Sequence, residues 1–157
     1  MRLGVISDTH GLLRPEALRA LAGADRIVHA GDVGGPEILA ALRRIAPVVA
    51  VRGNNDREAW ARRLPETRRL RAGGLRLLVV HDAHTLALDP AAAGFAVVIA
   101  GHSHQPRRER LNGVLFFNPG SAGPRRFGLP VTVGRLVIRG GRVRAQIVPL
   151  RALPSKR

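Results

Sequence analysis

Apolar residues along this chain fall into short blocks, and the spacing between the blocks changes partway through. In the first third, strand-like and helix-like stretches alternate. Arg2–Ser7 reads as a buried strand, and Pro15 opens a helical stretch over Glu16–Ala22, since proline suits a first helical turn. Arg26–Ala30 is a second strand, Pro36 opens a helix over Glu37–Arg44, and Val48–Val51 is a third strand. This βαβαβ order predicts parallel strands with right-handed crossovers.

After Trp60 the blocks come in pairs. Thr67–Ala72 and Leu75–Val80 flank Gly73-Gly74, Arg107–Leu111 and Val114–Phe117 flank Asn112-Gly113, and Val131–Ile138 and Val143–Val148 flank Gly140-Gly141. Each is a two-residue hairpin signal. A short helical stretch around Pro90–Ala93 leads into a strand at Ala96–Ala100. The sum is two facing mixed sheets with helices outside, a four-layer α-β-β-α sandwich. No long linker or internal repeat divides the chain, so residues 1–157 are expected to form a single domain. The tail, Arg151–Arg157, is expected to be loosely held.

Composition narrows the class. A chain of 157 residues can bury roughly 68–70% of its unfolded surface. His29, Arg52, His81 and Gly94 interrupt or flank the longest apolar runs, so none approaches the roughly 20 residues of a membrane span. Met1-Arg2 leads straight into the first strand, which argues against a signal peptide. Cysteine is absent, which removes disulfides and thiolate metal sites. A cytoplasmic enzyme with oxygen and imidazole ligands is the expected class.

The formal charge is +15, and of 26 basic residues only Lys156 is lysine. Such a charge attracts anionic substrates, nucleic acid included. Yet the chain has four phenylalanines, one tryptophan and no tyrosine, and no basic tail with interleaved aromatics. General surface charge is therefore favoured over a dedicated nucleic-acid face.

The chemistry sits in five short segments, nearly all at the ends of apolar runs: Asp8-Thr9-His10, Gly31-Asp32, Gly53-Asn54, His81 and Gly101-His102-Ser103-His104, with Asn118-Pro119-Gly120-Ser121 beyond them. In extended chain, residues i and i+2 point to the same side, so Asp8 and His10 can reach one ion. Asp32 projects from the carboxyl end of a strand, the edge where open α/β sheets bind ligands. Read alone, Gly53-Asn54-Asn55-Asp56 is better explained as a tight turn with Asp56 capping the next helix. His81 alone is more often structural. The pair His102 and His104, behind a glycine and beyond a buried strand, has few packing reasons to exist, and neutral imidazoles bind Mn, Fe, Ni, Zn and Co.

The phrases Ser7-Asp8-Thr9-His10-Gly11, His29-Ala30-Gly31-Asp32-Val33, Val51-Arg52-Gly53-Asn54-Asn55-Asp56, Gly101-His102-Ser103-His104 and Asn118-Pro119-Gly120-Ser121 resemble, in order, those of the calcineurin-like metallophosphoesterase superfamily. The chain is most similar to its small bacterial and archaeal phosphodiesterases of the YfcE-like type. The resemblance implies the calcineurin-like metallophosphoesterase fold and two divalent metal ions, with Mn first and Ni, Co, Fe, Zn or Mg as alternatives. It implies that Asp8, His10 and His104 hold one ion, Asn54, His81 and His102 the other, and that Asp32 bridges them. Asp8, His10, Asp32, Asn54 and His102 form the implied catalytic set. His29 reads as structural or as a support to a ligand.

Two such ions clamp the attacking and leaving oxygens of an in-line displacement, with a metal-bridging hydroxide as nucleophile. Two ions, two aspartates and that hydroxide leave about one positive charge to face a phosphoryl group. The expected substrate is a small or nucleotide-like phosphodiester. Phosphomonoesterase and nuclease activities are the alternatives within enzymes, and a protein-interaction scaffold of the same fold is the alternative outside them. The full ligand set argues against a pure scaffold. Homo-oligomers are common among relatives.

Two departures matter. Asn55 stands where larger phosphatases of the superfamily carry histidine, and an amide is no general acid at neutral pH. Esters with acidic leaving groups should therefore react faster than alkyl esters, and equal rates would refute this. Asp82 stands where glycine usually follows the ligand His81, and can either hydrogen-bond a ligand imidazole or simply turn the loop. Arg14, Trp60, His84 and Arg125 are the expected surroundings of the substrate, and Arg125 and Arg126 are plausible phosphate contacts.

Overall fold

A computed structural model describes residues 1–151. Its elements are β1 (Arg2–Ile6), α1 (Pro15–Leu21), β2 (Arg26–His29), α2 (Pro36–Arg43), β3 (Val48–Ala50), β4 (Thr67–Ala72), β5 (Leu75–Val80), β6 (Val97–Ile99), β7 (Arg107–Leu111), β8 (Val114–Asn118), β9 (Thr132–Arg139) and β10 (Arg142–Pro149). Short 3-10 helices lie at Ala59–Arg63 and Ala83–Thr85.

The strands form two five-stranded mixed sheets, ordered β10-β9-β1-β2-β3 and β4-β5-β6-β8-β7. Parallel pairing joins β1, β2 and β3, as the βαβαβ pattern predicts. In the second sheet β5, β6 and β8 are parallel, and β4 and β7 close its edges as antiparallel hairpin partners. The three dipeptide turns hold: Gly73-Gly74, Asn112-Gly113 and Gly140-Gly141 all have positive φ, which two-residue hairpins of type I′ require.

Alternation along each strand explains the layers. Leu3 and Val5 of β1 and Leu77 and Val79 of β5 meet between the sheets, with Val97, Phe117 and Leu136 beside them. Ile6 and Ile27 turn outward, where Ala17 and Leu21 of α1 and Ile38 and Leu42 of α2 cover them. Leu78, Val80 and Val98 face the other outside, beneath Phe95 and the chain between Ala83 and Ala93. The unbroken apolar run of β5 is thus that of a strand buried on both faces.

The covering layer of the second sheet is less helical than expected. The stretch at Pro90–Ala93 is a turn, in which Ala93 N–H donates to Asp89 O and Phe95 N–H to Pro90 O. Gly94, at φ 82°, ends it before a helix can propagate. The expected tail lies outside the described residues beyond Arg151. Among the described residues no helix is long and apolar enough to cross a membrane.

Candidate metal centre

The parallel strands set the site. Ile6, His29 and Ala50 stand in register in the first sheet, and Val79 and Ile99 in the second. The loops that follow leave at one edge, the carboxyl ends of the strands. Asp8 and His10 follow β1, Asp32 follows β2, Asn54 follows β3, His81 follows β5, and His102 and His104 follow β6.

The backbone there is not extended. Asp8 (φ 56°), His10 (47°), Asp32 (53°), His102 (72°) and His104 (62°) all adopt the left-handed region, and only Asn112 and Phe127 join them among described non-glycine residues. For an L-residue this conformation costs about 1–2 kcal/mol. The expectation that Asp8 and His10 converge through extended-chain alternation is therefore corrected. They converge because the chain turns left-handed at each, with Asp8 N–H donating to Gly31 O and His10 N–H to Asp32 O. His102 and His104, also two apart, diverge towards different neighbours.

Asp8 is fully buried. Its Oδ2 accepts from Ser7 Oγ (2.6 Å) and from His102 N–H (3.1 Å). Its Oδ1 has no hydrogen-bond partner and faces His104 Nε2 at 3.4 Å, His81 Nε2 at 3.8 Å and His10 Nε2 at 3.9 Å. Asp32 Oδ2 lies 3.3 Å from His81 Nε2 and 3.7 Å from His10 Nε2. His81 Nδ1–H donates to Ala30 O at 2.7 Å, which turns Nε2 towards both carboxylates. Asn54 Oδ1 lies 3.3 Å from His102 Nδ1, and the His102 ring packs edge-on against His81 at 5.2 Å. All seven sequence-predicted residues thus gather at one place, although Asn54 and His102 sit at its exposed rim.

This donor set fits divalent ions. Asp8, His10 and His104 form one group of converging donor atoms, and Asp8, Asp32 and His81 another. Asp8 Oδ1 and His81 Nε2 are buried and unpartnered. An imidazole lone pair facing two carboxylates is repulsive unless a cation, proton or metal, lies between them. His10 and His104 present Nε2 atoms 3.4 Å apart. That is about the separation of two nitrogens held 2.0–2.1 Å from one tetrahedral ion.

Electrostatics agree. Burial pushes the Asp8 carboxyl above its ordinary range, against the pull of Ser7 and of His81. Burial acts upward on Asp32 too, but the His81 imidazole 3.3 Å away and the hydrogen bonds from Asn55 outweigh it and hold Asp32 well below that range. His81 is raised: burial opposes its charged form, and the two carboxylates overcome burial. His104 is lowered, chiefly by burial.

Other residues support the ligands, His29 among them as expected, while the role of Asp56 differs from the expected one. Asp56 does not cap a helix; its carboxylate is buried and accepts from the N–H groups of Val33, Gly34 and Gly53, binding the β2 and β3 loops together. His29 is fully buried, accepts from Gly31 N–H at Nδ1 and donates from Nε2 to Thr9 Oγ1, which in turn donates to Val33 O. Asn118 donates to Gly101 O and Ser103 Oγ, and Ser121 Oγ donates to Asp8 O, so the Asn-Pro-Gly-Ser turn braces two ligand loops. A Cβ on Gly53 would overlap Asp32 Oδ1, and one on Gly101 would overlap Ser7 Oγ, which is why glycine precedes these ligands.

Beside the rim lies a cavity of about 640 Å³, lined by Asn54, His81, His102, Arg52, Arg57 and Arg62 among others. Asp82 Oδ2 stands 3.7 Å from His102 Nε2, so this departure faces His102 and not His81. His84 is 95% exposed and pairs with Asp82. Trp60 packs on the α1–α2 side of the first sheet, and Arg14 donates to Gly123 O.

A two-sheet sandwich with imidazoles and carboxylates converging at its strand ends is the architecture of a metal-dependent phosphoester hydrolase. The chain belongs to the calcineurin-like phosphoesterase superfamily, whose domain description matches residues 1–141. It is 36% identical over 160 aligned residues to a probable metallophosphoesterase of Methanothermobacter thermautotrophicus, covering 94% of this chain and 92% of that one. It is 31% identical to the phosphodiesterase YfcE of Escherichia coli, covering 87% of each. The solved structure of the E. coli phosphoesterase Yfce superimposes with a TM-score of 0.69 at 27% identity, over 96% of this chain and all (100%) of that one. Vps29 of Entamoeba histolytica, solved with Zn²⁺, shares the fold at a TM-score of 0.71 and 23% identity, over 96% of this chain and 100% of that one.

Proposed function

We propose that this chain is a single-domain, dinuclear metal-dependent phosphodiesterase acting on a small or nucleotide-like phosphodiester. Asp8, His10 and His104 would hold one divalent ion and Asn54, His81 and His102 the other, with Asp32 available to both. The observation that carries metal binding is the pair of buried, unpartnered atoms Asp8 Oδ1 and His81 Nε2, with the Nε2 atoms of His10 and His104 also within 3.9 Å of Asp8 Oδ1; the division of the ligands between two ions follows the family resemblance. Mixed oxygen and nitrogen donors suit Mn first, with Ni, Co, Fe, Zn or Mg able to occupy similar sites. When bound, the ions supply Lewis acidity and an activated water for in-line displacement.

The chain's own residues do the rest. Ser7 Oγ and His102 N–H fix the Asp8 carboxylate, leaving Oδ1 for the ion. The bond from Nδ1–H to Ala30 O holds His81 in the tautomer whose Nε2 can coordinate. Asn55 donates to both oxygens of Asp32 and fixes the shared ligand. Neither Ser7 nor Ser103 is presented to a base as a nucleophile: Ser7 Oγ donates to Asp8, and Ser103 Oγ accepts from Asn118 and from Gln105 N–H.

The test is to strip the protein with chelator, then measure hydrolysis of bis-p-nitrophenyl phosphate and p-nitrophenyl phosphate on adding Mn²⁺, Ni²⁺, Mg²⁺ or Zn²⁺. Metal-restored activity greater on the diester is expected, with Asp32→Asn nearly inactive. A preference for the monoester would reassign the substrate class. Absence of metal-dependent turnover on either compound would sink the enzyme reading.

A further inference from the structure

Phe127 sits badly by every rule of protein surfaces, and it sits beside the metal centre. Its side chain is 80% exposed, while the next most exposed large hydrophobics among the described residues, Met1 and Leu111, reach 43%. Its φ of 59° is left-handed, and Gly128 follows at 64°. Leu129 N–H donates to Arg126 O across the pair, closing a four-residue turn with positive φ at both central positions. Such type I′ turns are dominated by Gly, Asn and Asp; a bulky aromatic there is an outlier. The turn thus carries both a strained backbone and an unburied ring.

What the strain accomplishes is placement. The Phe127 ring stands edge-on to the ring of His104, with centroids 5.9 Å apart and planes at 65°. Its outer face is open to solvent. His104, Arg125, Arg126 and Leu129 line one shallow recess at the base of the same loop, so the ring rises from a cationic rim. The open face of Phe127 is one imidazole away from the proposed metal ligands, so an aromatic group carried by an ester bound there has a ring within reach. Stacking on such a face tolerates any base, because every base has a π-face.

We infer that Phe127 is the platform on which the aromatic part of the substrate, a nucleobase or an aryl ring, stacks while its phosphoryl group lies at the Asp8–His10–His104 side of the centre. This rests on the phosphodiesterase reading above and sharpens it. The residue selects esters that carry a planar ring, and it discriminates through binding, without taking part in bond breaking.

The experiment uses the metal-loaded protein, with bis-p-nitrophenyl phosphate as reporter. Inhibition constants are measured for thymidine 5′-monophosphate and for deoxyribose 5-phosphate, which lacks the base. In the wild type the base should tighten inhibition by about five-fold or more. Phe127→Ala should bring that ratio close to one, Phe127→Leu should lose most of it, and Phe127→Trp should keep it. A second readout does not need turnover. The indole introduced by Phe127→Trp should be quenched by thymidine 5′-monophosphate and not by deoxyribose 5-phosphate, while wild-type fluorescence, from Trp60 alone, stays flat. If hydrolysis fails altogether, the phosphodiesterase reading falls, and this titration still decides the stacking. An unchanged ratio in Phe127→Ala overturns the inference. So does a Phe127→Ala protein that changes oligomeric state while its ratio is intact, because the ring would then be a contact between subunits.

Discussion

The Asn55 amide is no general acid at neutral pH, and its geometry shows what it does instead. Its backbone N–H donates to Asp32 Oδ1 at 2.9 Å and its side-chain amide to Asp32 Oδ2 at 3.0 Å. Both oxygens of the carboxylate proposed to touch both ions are thereby held by one residue. An amide engaged this way neither protonates a leaving group nor swings to meet one. Its contribution is to metal affinity, since partners that orient a ligand are typically worth 10–100-fold in binding. Asn55→Ala keeps the backbone donor and removes the side-chain donor. We predict that it weakens Mn²⁺ binding by about 10-fold, near the lower end of that range. Calorimetric titration of stripped protein checks this; affinity equal to the wild type would show that the amide does not orient Asp32.

At the scale of elements, the ligand loops are short, tightly packed against one another and mutually braced. The strands and hairpins that launch them were legible because β-structure writes itself locally. Apolar runs ended by Gly-Asp, Gly-Asn or Gly-His, and the dipeptides Gly73-Gly74, Asn112-Gly113 and Gly140-Gly141, name their own turns. The convergence of Asp8 and His10 was legible, but its cause was not, because left-handed φ at Asp and His leaves no pattern in sequence. The crossing that brings β9 beside β1 was also hidden, since pairing between strands so far apart depends on the whole fold. Asp56 looked like a cap because two of its three acceptor bonds reach Val33 and Gly34, 23 and 22 positions away, and only the one from Gly53 is local. Phe127 gave no signal at all, because exposure cannot be read from a lone aromatic.

The closeness of these loops has a direct consequence at Gly101. A methyl group there would overlap Ser7 Oγ and come within 2.7 Å of Asp8 Oδ2, the pair of atoms that orients Asp8. Overpacking of this kind costs about 1–3 kcal/mol. Gly101→Ala should lower stability by that amount and reduce metal-dependent hydrolysis more than it reduces folding. A thermal melt combined with assay at saturating metal separates the two. Wild-type activity in that variant would mean that the loop can yield without disturbing Asp8.

On the scale of the whole molecule, the centre draws ligands from both sheets, so the stacking of the sheets and the integrity of the site stand together. His29 is built into that arrangement at the end of β2. Both ring nitrogens are committed: Nδ1 accepts from Gly31 N–H, and Nε2–H donates to Thr9, whose hydroxyl proton is already given to Val33 O. Adding a proton at Nδ1 would set it against the Gly31 N–H. Complete burial, aided by the positive field of His81, holds the His29 pKa down to about 3, from an ordinary value of 6.5. The sign follows from proton counting. Between about pH 6.5 and about pH 3 the unfolded chain binds a proton at this position and the folded chain does not, so stability is full above 6.5 and falls as pH drops through that window. The slope approaches about 1.4 kcal/mol per pH unit well below 6.5. His81 is shifted the other way and would partly mask the effect in a simple pH scan, so the comparison must be with a variant. Urea unfolding of metal-stripped wild type and His29→Gln at pH 7.5, 5.5 and 4.5 isolates the residue. The variant should start less stable and lose less on acidification, so that the two curves approach each other. The imidazole resonances of His29 should at the same time report a neutral ring protonated at Nε2 down to pH 4.5. Parallel pH dependences for the two proteins, or a ring that titrates near 6.5, would mean that the strut between the β1 and β2 loops is not held neutral.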